Sequence, residues 1–166
     1  MQLFDTHAHL LDDKFDEDRN TLIASLPDAG VRGFVEACVE AEDIPKIQAL
    51  TLLYDFVYGS AGIHPHSASK ADNTNLLRVE RALEQKKIVA VGEIGLDYHY
   101  DFSPREAQRE AFSNQLDLAI AAKKPVIIHD REAHGDVMAM LSARKGRLGG
   151  VLHCYSGSYE DAVKYV

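Results

Sequence analysis

Two histidines stand one residue apart near the start of the chain, in the stretch FDTHAHL. The residues before them form a short apolar run typical of a β-strand, and side chains at positions i and i+2 of a strand point to the same side. His7 and His9 are therefore expected to project into one space, which is how a strand offers two ligands to a metal ion. A pair of surface histidines at a strand end would give the same pattern, so the motif needs support from the rest of the chain.

Other residues capable of binding metal or moving protons follow further apolar runs. They are His64 and His66 after AGI, Glu93 after VAVG, His129 after PVII and His153 after GVL. Each one alone is compatible with a hydrogen-bonded loop residue. Together they are expected at the carboxyl ends of strands, which form the catalytic face of a β/α barrel. His99 and His134 do not follow this rule, and we assign them no role.

A metal centre explains this joint placement. Several imidazoles and a carboxylate buried together without a cation would leave polar groups unsatisfied, at about 1–3 kcal/mol each. Four imidazoles with one carboxylate that can bridge resemble the sites in which hydrolytic enzymes hold two cations about 3.5–4 Å apart. The residues therefore predict a two-metal hydrolytic site.

The elements that must position these residues are apolar strands alternating with helical segments. The runs that predict strands lie at 3–5, 33–39, 56–63, 88–95, 125–130 and 150–156. This alternation predicts βαβ units and a parallel sheet buried on both faces. We therefore expect residues 1–166 to form a single domain with about the first six units of a TIM-type (β/α)8 barrel, which needs about 250 residues when complete. An open doubly wound sheet is the competing architecture.

The clearest helical segment is SPREAQREAFSNQLDLAIAAKK, at residues 103–124. Ser103, Pro104 and Glu106 predict an N-cap, a first-turn proline and a capping box. Apolar positions follow with helical period: Phe112, Leu116, Ile120 and Ala121. The segment predicts structure and no role in the site.

Composition narrows the class of protein. The chain has 166 residues, 46% of them hydrophobic, which is enough for a core, and it shows neither a signal-like start nor an apolar run long enough to cross a bilayer. Cys38 and Cys154 lie far apart, which predicts reduced thiols in a cytoplasmic protein. A net charge of −8 argues against a broad basic surface for nucleic acid, so a phosphate-bearing partner would need bound divalent cations.

Five motifs carry a family resemblance. DTHAHL, AGIHPH, GEIGLDY, KPVIIHDRE and GVLHCYSG occur in this order and span the chain. Together they resemble the TatD family of metal-dependent deoxyribonucleases, within the amidohydrolase-like β/α barrels. The resemblance implies a (β/α)8 barrel that hydrolyses phosphodiester bonds in DNA as an exonuclease, on single-stranded or end-recessed substrates, with two divalent cations such as Mg, Zn or Mn.

The resemblance also implies roles for particular residues. It assigns His7 and His9 to a first metal, Glu93 to a bridge between both metals, and His129 with His153 to the second metal. A further aspartate in a Thr-Asp-Ser-Pro-like segment of the family would bind the first metal and suits proton transfer. The sequence ends at Val166 before such a segment, so no catalytic residue is assigned, and a natural protein of about 250–260 residues is expected.

Four residues in the same loops are candidates for substrate contacts: His64, His66, Tyr98 and Arg131. Arg131 suits phosphate best, because its planar fork can hold two oxygens at once. A surface salt bridge is the alternative for Arg131, and core packing is the alternative for Tyr98.

Two other functions stay open at this point. Related barrels act on lactones, amides or phosphotriesters with a similar metal pair, and net acidity favours such small molecules. A fragment that lacks its last ligand could instead be inactive. Six strands of an eight-stranded barrel would also leave two edges with unpaired backbone groups, which predicts self-association of the 166-residue chain.

Overall fold

The computed structural model describes residues 2–166, in which six β-strands alternate with six α-helices. The strands are β1 Leu3–Ala8, β2 Val31–Glu36, β3 Val57–Ala61, β4 Ile88–Asp97, β5 Val126–Arg131 and β6 Gly150–Leu152. The helices are α1 Arg19–Ser25, α2 Ile44–Leu53, α3 Asn73–Leu83, α4 Arg105–Ala122, α5 His134–Ser142 and α6 Tyr159–Tyr165. Short 3-10 turns lie at Asp13–Phe15 and Pro65–Lys70.

The strands form one parallel sheet in chain order, β1-β2-β3-β4-β5-β6. A doubly wound sheet reverses its strand order at a switch point, whereas a barrel adds each strand beside the previous one. The sequential order therefore excludes the competing architecture and confirms the prediction of six units of a β/α barrel. The sheet also curves, since its first and last strands come together: the ring of His7 on β1 stacks on the ring of His153 after β6, with centroids 3.6 Å apart.

Both faces of the sheet are buried, as the apolar strands predict. On one face Val91 of β4 and Ile128 of β5 pack with Phe112 and Leu116 of α4 in the largest core cluster. On the other face Val35, Ala90 and Ile127 form a separate small cluster. Neighbouring residues of one strand thus enter different cores, because side chains alternate across a sheet.

The start of α4 differs from the expectation. The helix begins at Arg105 with Pro104 in the N-cap position, and no side chain caps it. Ser103 instead donates to the carbonyl oxygen of His66 and accepts from the amide of Ser69, so it fastens the loop after β3. Of the predicted apolar positions, Phe112 and Leu116 are buried, Ile120 is partly buried and Ala121 is exposed.

The two cysteines are not bonded to each other. Cys38 is fully buried, and burial raises the pKa of its thiol to about 12. Cys154 is exposed after β6. No helix within residues 2–166 combines the length and the apolar character that crossing a membrane requires.

Candidate metal centre

The carboxylate of Glu93 is the point on which histidines from three other parts of the sheet converge. Glu93 is 3% exposed on β4, and its Oε2 lies 3.1 Å from Nε2 of His7 and 3.5 Å from Nε2 of His9. Its Oε1 lies 2.9 Å from Nδ1 of His129 and 3.7 Å from Nε2 of His64. One buried carboxylate thus contacts β1, the loop after β3, and β5.

Glu93 does not end its strand, contrary to the sequence interpretation. Strand β3 ends at Ala61, which pairs with Val91, and β4 continues beyond it to Asp97. From Ile94 onward β4 pairs with β5 alone. Glu93 therefore lies beyond the end of one neighbouring strand while remaining inside its own.

The first group of candidate ligands lies between β1 and β6. Nε2 of His7 and Nε2 of His9 are 2.9 Å apart. One ligand atom from each of His7, Glu93 and His153 lies within 4.8 Å of the other two. The sequence assigned His153 to the metal shared with His129, whereas this geometry groups it with His7.

The second group consists of His64, His66 and His129, whose ligand atoms also lie within 4.8 Å of one another. Nε2 of His66 is 2.8 Å from Oδ2 of Asp97, and Nε2 of His129 is 3.0 Å from the same oxygen. His64 and His66 were interpreted as substrate contacts. The structure places their nitrogens beside the candidate ligand His129. They are therefore positioned either to bind a metal ion with His129 or to contact the substrate.

Asp97, which is fully buried in the structure, was not among the candidate residues of the sequence interpretation. Besides the two histidines it accepts hydrogen bonds from the amides of His99 and Tyr100. The signal was available in the spacing, because Glu93 and Asp97 are four residues apart on one strand and alternate residues share a face. Asp97 orients the imidazoles of His66 and His129.

Glu36 was missed as well. It ends β2 at 1% exposure, and its two carboxylate oxygens accept hydrogen bonds from the amides of Leu10 and Leu11. This fixes the chain after His9. Glu36 and Glu93 also line a cavity of about 380 Å³ beside the histidines.

Helix α4 positions the site through two buried glutamines, a role the sequence interpretation did not give it. Gln115 accepts from the amide of Ile63 and donates to its carbonyl oxygen, which holds the residue next to His64. Gln108 does the same for the amide and carbonyl of Asp97. The two glutamine side chains thus satisfy backbone amide and carbonyl groups that the hydrogen bonds between strands do not satisfy.

Tyr98 and Arg131 lie to one side of the cluster. The hydroxyl of Tyr98 donates to Asp136 at 2.5 Å, and its ring is partly buried against the main core. The Arg131 guanidinium lies over the ring of Tyr100, 4.8 Å from its centroid. Within residues 2–166 Arg131 forms no salt bridge, contrary to the alternative considered for it.

The remaining histidines lie outside the cluster, each beside a carboxylate of its own. Nδ1 of His99 is 2.7 Å from Glu132, and Nδ1 of His134 is 2.7 Å from Asp130. Neither contacts Glu93.

The electrostatics of the cluster favour an ionised carboxylate. Burial alone would raise the pKa of Glu93, but hydrogen bonds from His129, His7 and His9 outweigh it and hold the pKa far below its usual range. Burial opposes protonation of His64 and lowers its pKa to about 3. Burial also lowers the pKa of His153. A hydrogen bond with Glu93 raises the pKa of His9, and for His129 the hydrogen bonds and charges of Glu93 and Asp97 outweigh burial and raise its pKa as well. The anionic carboxylate is suited to bind a divalent cation, whereas any proton on these two imidazoles must leave before they bind one.

The residues fit a metal in a second respect. Nδ1 of His7 is buried and has no hydrogen-bond partner within residues 2–166, while its Nε2 faces His9 and Glu93. Imidazole nitrogen and carboxylate oxygen are ligands of zinc and of other divalent transition metals. A shared cation explains why the Nε2 atoms of His7 and His9 face each other beside the buried carboxylate of Glu93.

Sequence comparison identifies relatives of the whole chain. The family profile described as TatD related DNase matches residues 4–166. The uncharacterized metal-dependent hydrolase YabD of Bacillus subtilis is 37% identical over 161 residues, which cover 96% of this chain and 63% of YabD. The 3'-5' ssDNA/RNA exonuclease TatD of Escherichia coli is 34% identical over 160 residues, covering 96% of this chain and 62% of TatD. The chain therefore spans less than two thirds of the length of these relatives.

Structural comparison agrees with the sequence. The crystal structure of YjjV, a TatD homologue from Escherichia coli, superposes with a TM-score of 0.90 at 33% identity, over 98% of this chain and 64% of YjjV. An uncharacterized amidohydrolase from Saccharomyces cerevisiae shares the fold, with a TM-score of 0.81 at 18% identity over 99% of this chain and 64% of its own. The profile match over almost every residue, joined to this site, shows that the chain belongs to the TatD-related DNase family.

Proposed function

We propose that the protein hydrolyses phosphodiester bonds in nucleic acid with the help of divalent cations. The observation that carries the proposal is the buried, anionic carboxylate of Glu93, which His7, His9 and His129 all approach. Relatives named as 3'-5' exonucleases on single-stranded DNA or RNA support nucleic acid as the substrate. DNA is the substrate that the motifs of the sequence favour.

The ligand set proposed from the sequence remains our assignment. His7 and His9 would hold one cation, His129 and His153 would hold the other, and Glu93 would be shared between them. In this structure the ring of His153 stacks on that of His7, so the second cation would draw His153 toward His129. When bound, two such cations make water a stronger acid and neutralise charge on the phosphoryl oxygens. The identity of the metal, Mg, Zn or Mn, is left to experiment.

The protein's own residues supply orientation and substrate contacts. Asp97 fixes the rings of His66 and His129, and Glu36 fixes the loop that carries His9. Substitution of such hydrogen-bond partners of metal ligands commonly weakens metal affinity by about 10–100-fold. His64 and His66 are proposed to face the substrate.

Arg131 and Tyr98 are proposed to act at the rim of the site. Arg131 is exposed and carries a charge that no carboxylate within residues 2–166 neutralises, so it suits a phosphate group. Tyr98 positions its neighbours, because its hydroxyl is bound to Asp136 and its ring supports Arg105 at 4.3 Å.

Hydrolysis of a small molecule is the second candidate. The cavity beside Glu93 has a volume of about 380 Å³ and includes the apolar side chains Leu11, Val39 and Ile47. A cavity of this size and lining is typical of small-ligand sites, which run from about 300 to 1,000 Å³.

A direct assay separates the two candidates. The protein is incubated with 5'-labelled single-stranded DNA or RNA in Mg²⁺, Mn²⁺ or Zn²⁺, and in parallel with a lactone, an amide and a phosphotriester. We expect metal-dependent release of nucleotides that EDTA abolishes. Turnover of the small esters with no cleavage of either nucleic acid would establish the second candidate instead.

The same assay tests the alternative that the 166-residue chain is inactive by itself. The chain is compared with a protein of the full length typical of its relatives, at equal concentration and saturating metal. Nuclease activity in both would exclude the inactive-fragment alternative, and activity in the longer protein alone would establish it.

We also propose that the 166-residue chain self-associates through its sheet edges. Among residues 2–166, strand β1 pairs with β2 alone and β6 with β5 alone, and Leu3, Phe4 and Val151 are 46%, 52% and 37% exposed on these edge strands. Unpaired strand edges with apolar side chains favour pairing with another chain. Light scattering during gel filtration should give a mass above 18.4 kDa at micromolar concentration, and a monodisperse peak at 18.4 kDa would overturn this part.

A further inference from the structure

An exposed aromatic pair borders the candidate metal centre. Tyr100 and Phe102 follow β4 and stack with an interplanar angle of 16° and centroids 5.3 Å apart. Both contact His66, with ring centroids 5.5 Å and 4.8 Å away. Since Nε2 of His66 lies 2.8 Å from Asp97, the pair is separated from the cluster by one imidazole ring.

The pair contributes little to the core. Phe102 is 68% exposed and Tyr100 is 47% exposed, and neither belongs to a cluster of buried side chains within residues 2–166. Single exposed aromatic residues are common, but two stacked rings at the mouth of a polar site form an apolar surface that binding of a ligand would cover.

A positive charge accompanies the rings. Arg131 lies 4.8 Å from the centroid of Tyr100 and, within residues 2–166, has no ion-pair partner. Arg105, which lies over the ring of Tyr98, differs because its guanidinium donates to both carboxylate oxygens of Asp101. On a chain of net charge −8, an unneutralised guanidinium beside two exposed rings is a local attraction for an anion with a planar apolar part.

We propose that Tyr100 and Phe102 form a stacking platform for an unpaired nucleobase, and that Arg131 binds a phosphate of the same strand. The inference rests on the proposed function and adds to it the surface that would hold a base. Bases in a duplex are covered on both faces by their neighbours, so such a surface suits the single strands on which the relatives are named as acting. Every base has a π face, so it tolerates any sequence.

The test compares two oligonucleotides that share one backbone. Fluorescence anisotropy in Mg²⁺ measures the binding of labelled hexathymidylate and of a hexamer of abasic deoxyribose, both built with phosphorothioate linkages that resist hydrolysis. Stacking of one base on an aromatic side chain contributes about 1–3 kcal/mol. Wild-type protein should therefore bind hexathymidylate at least about fivefold more tightly than the abasic hexamer.

Substitutions then assign that preference. Phe102→Ala and Phe102→Leu should both bring the ratio of the two affinities close to one, while Phe102→Trp should restore it. Arg131→Gln should weaken binding of both hexamers equally, because each retains its phosphates. Tyr159→Ala removes another exposed aromatic residue, 79% exposed on α6 and in ring contact with none of the site histidines, and should leave the ratio unchanged.

Two results would overturn the platform. One is equal affinity of the wild-type protein for both hexamers. The other is a ratio that survives Phe102→Ala or Phe102→Leu, since leucine retains apolar bulk without a π face. Circular dichroism confirms that each variant is folded. Hydrolysis of hexathymidylate in Mg²⁺ is measured separately, so a failure of the proposed nuclease function is distinguished from a failure of the platform.

Discussion

At the scale of single residues, Glu93 and Arg131 make contrasting contributions. Glu93 contacts His7, His9 and His129 at distances of 2.9–3.5 Å, so its loss disturbs every ligand around it. Arg131 is exposed and contacts none of these residues. We expect the effects of removing them to differ in kind.

Nuclease assays on alanine variants test this contrast. Glu93→Ala should abolish activity, whereas Arg131→Ala should reduce it by about 10- to 100-fold, as expected for one charge-assisted contact. Glu84→Ala, at an exposed position just after α3, is the matched control and should retain full activity. Equal and complete losses in Glu93→Ala and Arg131→Ala would contradict the ranking.

Particular residues show how far the sequence could define the site. The positions of His7, His9, Glu93, His129 and His153 followed from their place after apolar runs, and the structure brings all five together. Asp97 and Glu36 were missed because they do not belong to the histidine pattern, although both are acidic residues at strand ends. The grouping of His64 and His66 with His129 depends on side-chain directions that spacing does not specify.

At the scale of elements, Gly95 explains part of the GEIGLDY motif. Its φ is +147°, a conformation that residues with a side chain rarely adopt, and a Cβ there would overlap the carbonyl oxygen of His129. Strands β4 and β5 can thus approach closely enough to bring Glu93 and His129 into contact. The second glycine of this motif therefore has a packing reason.

A substitution at Gly95 tests this packing. Gly95→Ala should lower the free energy of unfolding by at least about 2 kcal/mol, because backbone strain and overlap add. Gly135→Ala is the matched control, since nothing lies within 4 Å of the added methyl group and α5 favours alanine. Urea unfolding measures both variants, and equal stability of the two would show that the close approach is not needed.

A second element-scale prediction concerns the junction of α4 and α5. Arg144 follows α5 and donates to both carboxylate oxygens of Asp117 and to the hydroxyl of Ser113. The hydrogen bond from Arg144 lowers the pKa of Asp117. A carboxyl group that is more acidic in the folded protein stabilises it above the unfolded pKa of about 3.8, and this contribution disappears as the pH falls through the folded value.

Asp117→Asn should therefore lower stability at pH 7 by less than about 1 kcal/mol, because the carboxylate is 61% exposed and solvent screens the pair. The difference from the wild-type protein should stay nearly constant from pH 7 to about pH 5 and shrink as the pH falls below about 4. Asp28→Asn, at an exposed position without an ion pair in residues 2–166, is the control. A difference that stays constant as the pH falls from about 4 to about 2 would contradict this account.

At the scale of the whole molecule, the fold could be predicted more fully than the site. Alternation of apolar runs and helical periods gave six βα units, because local periodicity determines both kinds of element. The chain order of the strands could not be read from any one run, and it is what distinguishes a barrel from a doubly wound sheet. The cap of α4 was misplaced by one residue because Ser103 binds the loop at His66 instead of the helix.

We propose above all that this fold assembles a divalent-metal centre around Glu93. Anomalous diffraction from crystals grown with zinc tests it most directly, since the signal locates the ions without assuming their ligands. We predict anomalous peaks within about 2.0–2.3 Å of the Glu93 carboxylate and of histidine nitrogens from β1 and β5. Zinc found at surface pairs such as His99 and Glu132, with none beside Glu93 at saturating concentration, would contradict the account.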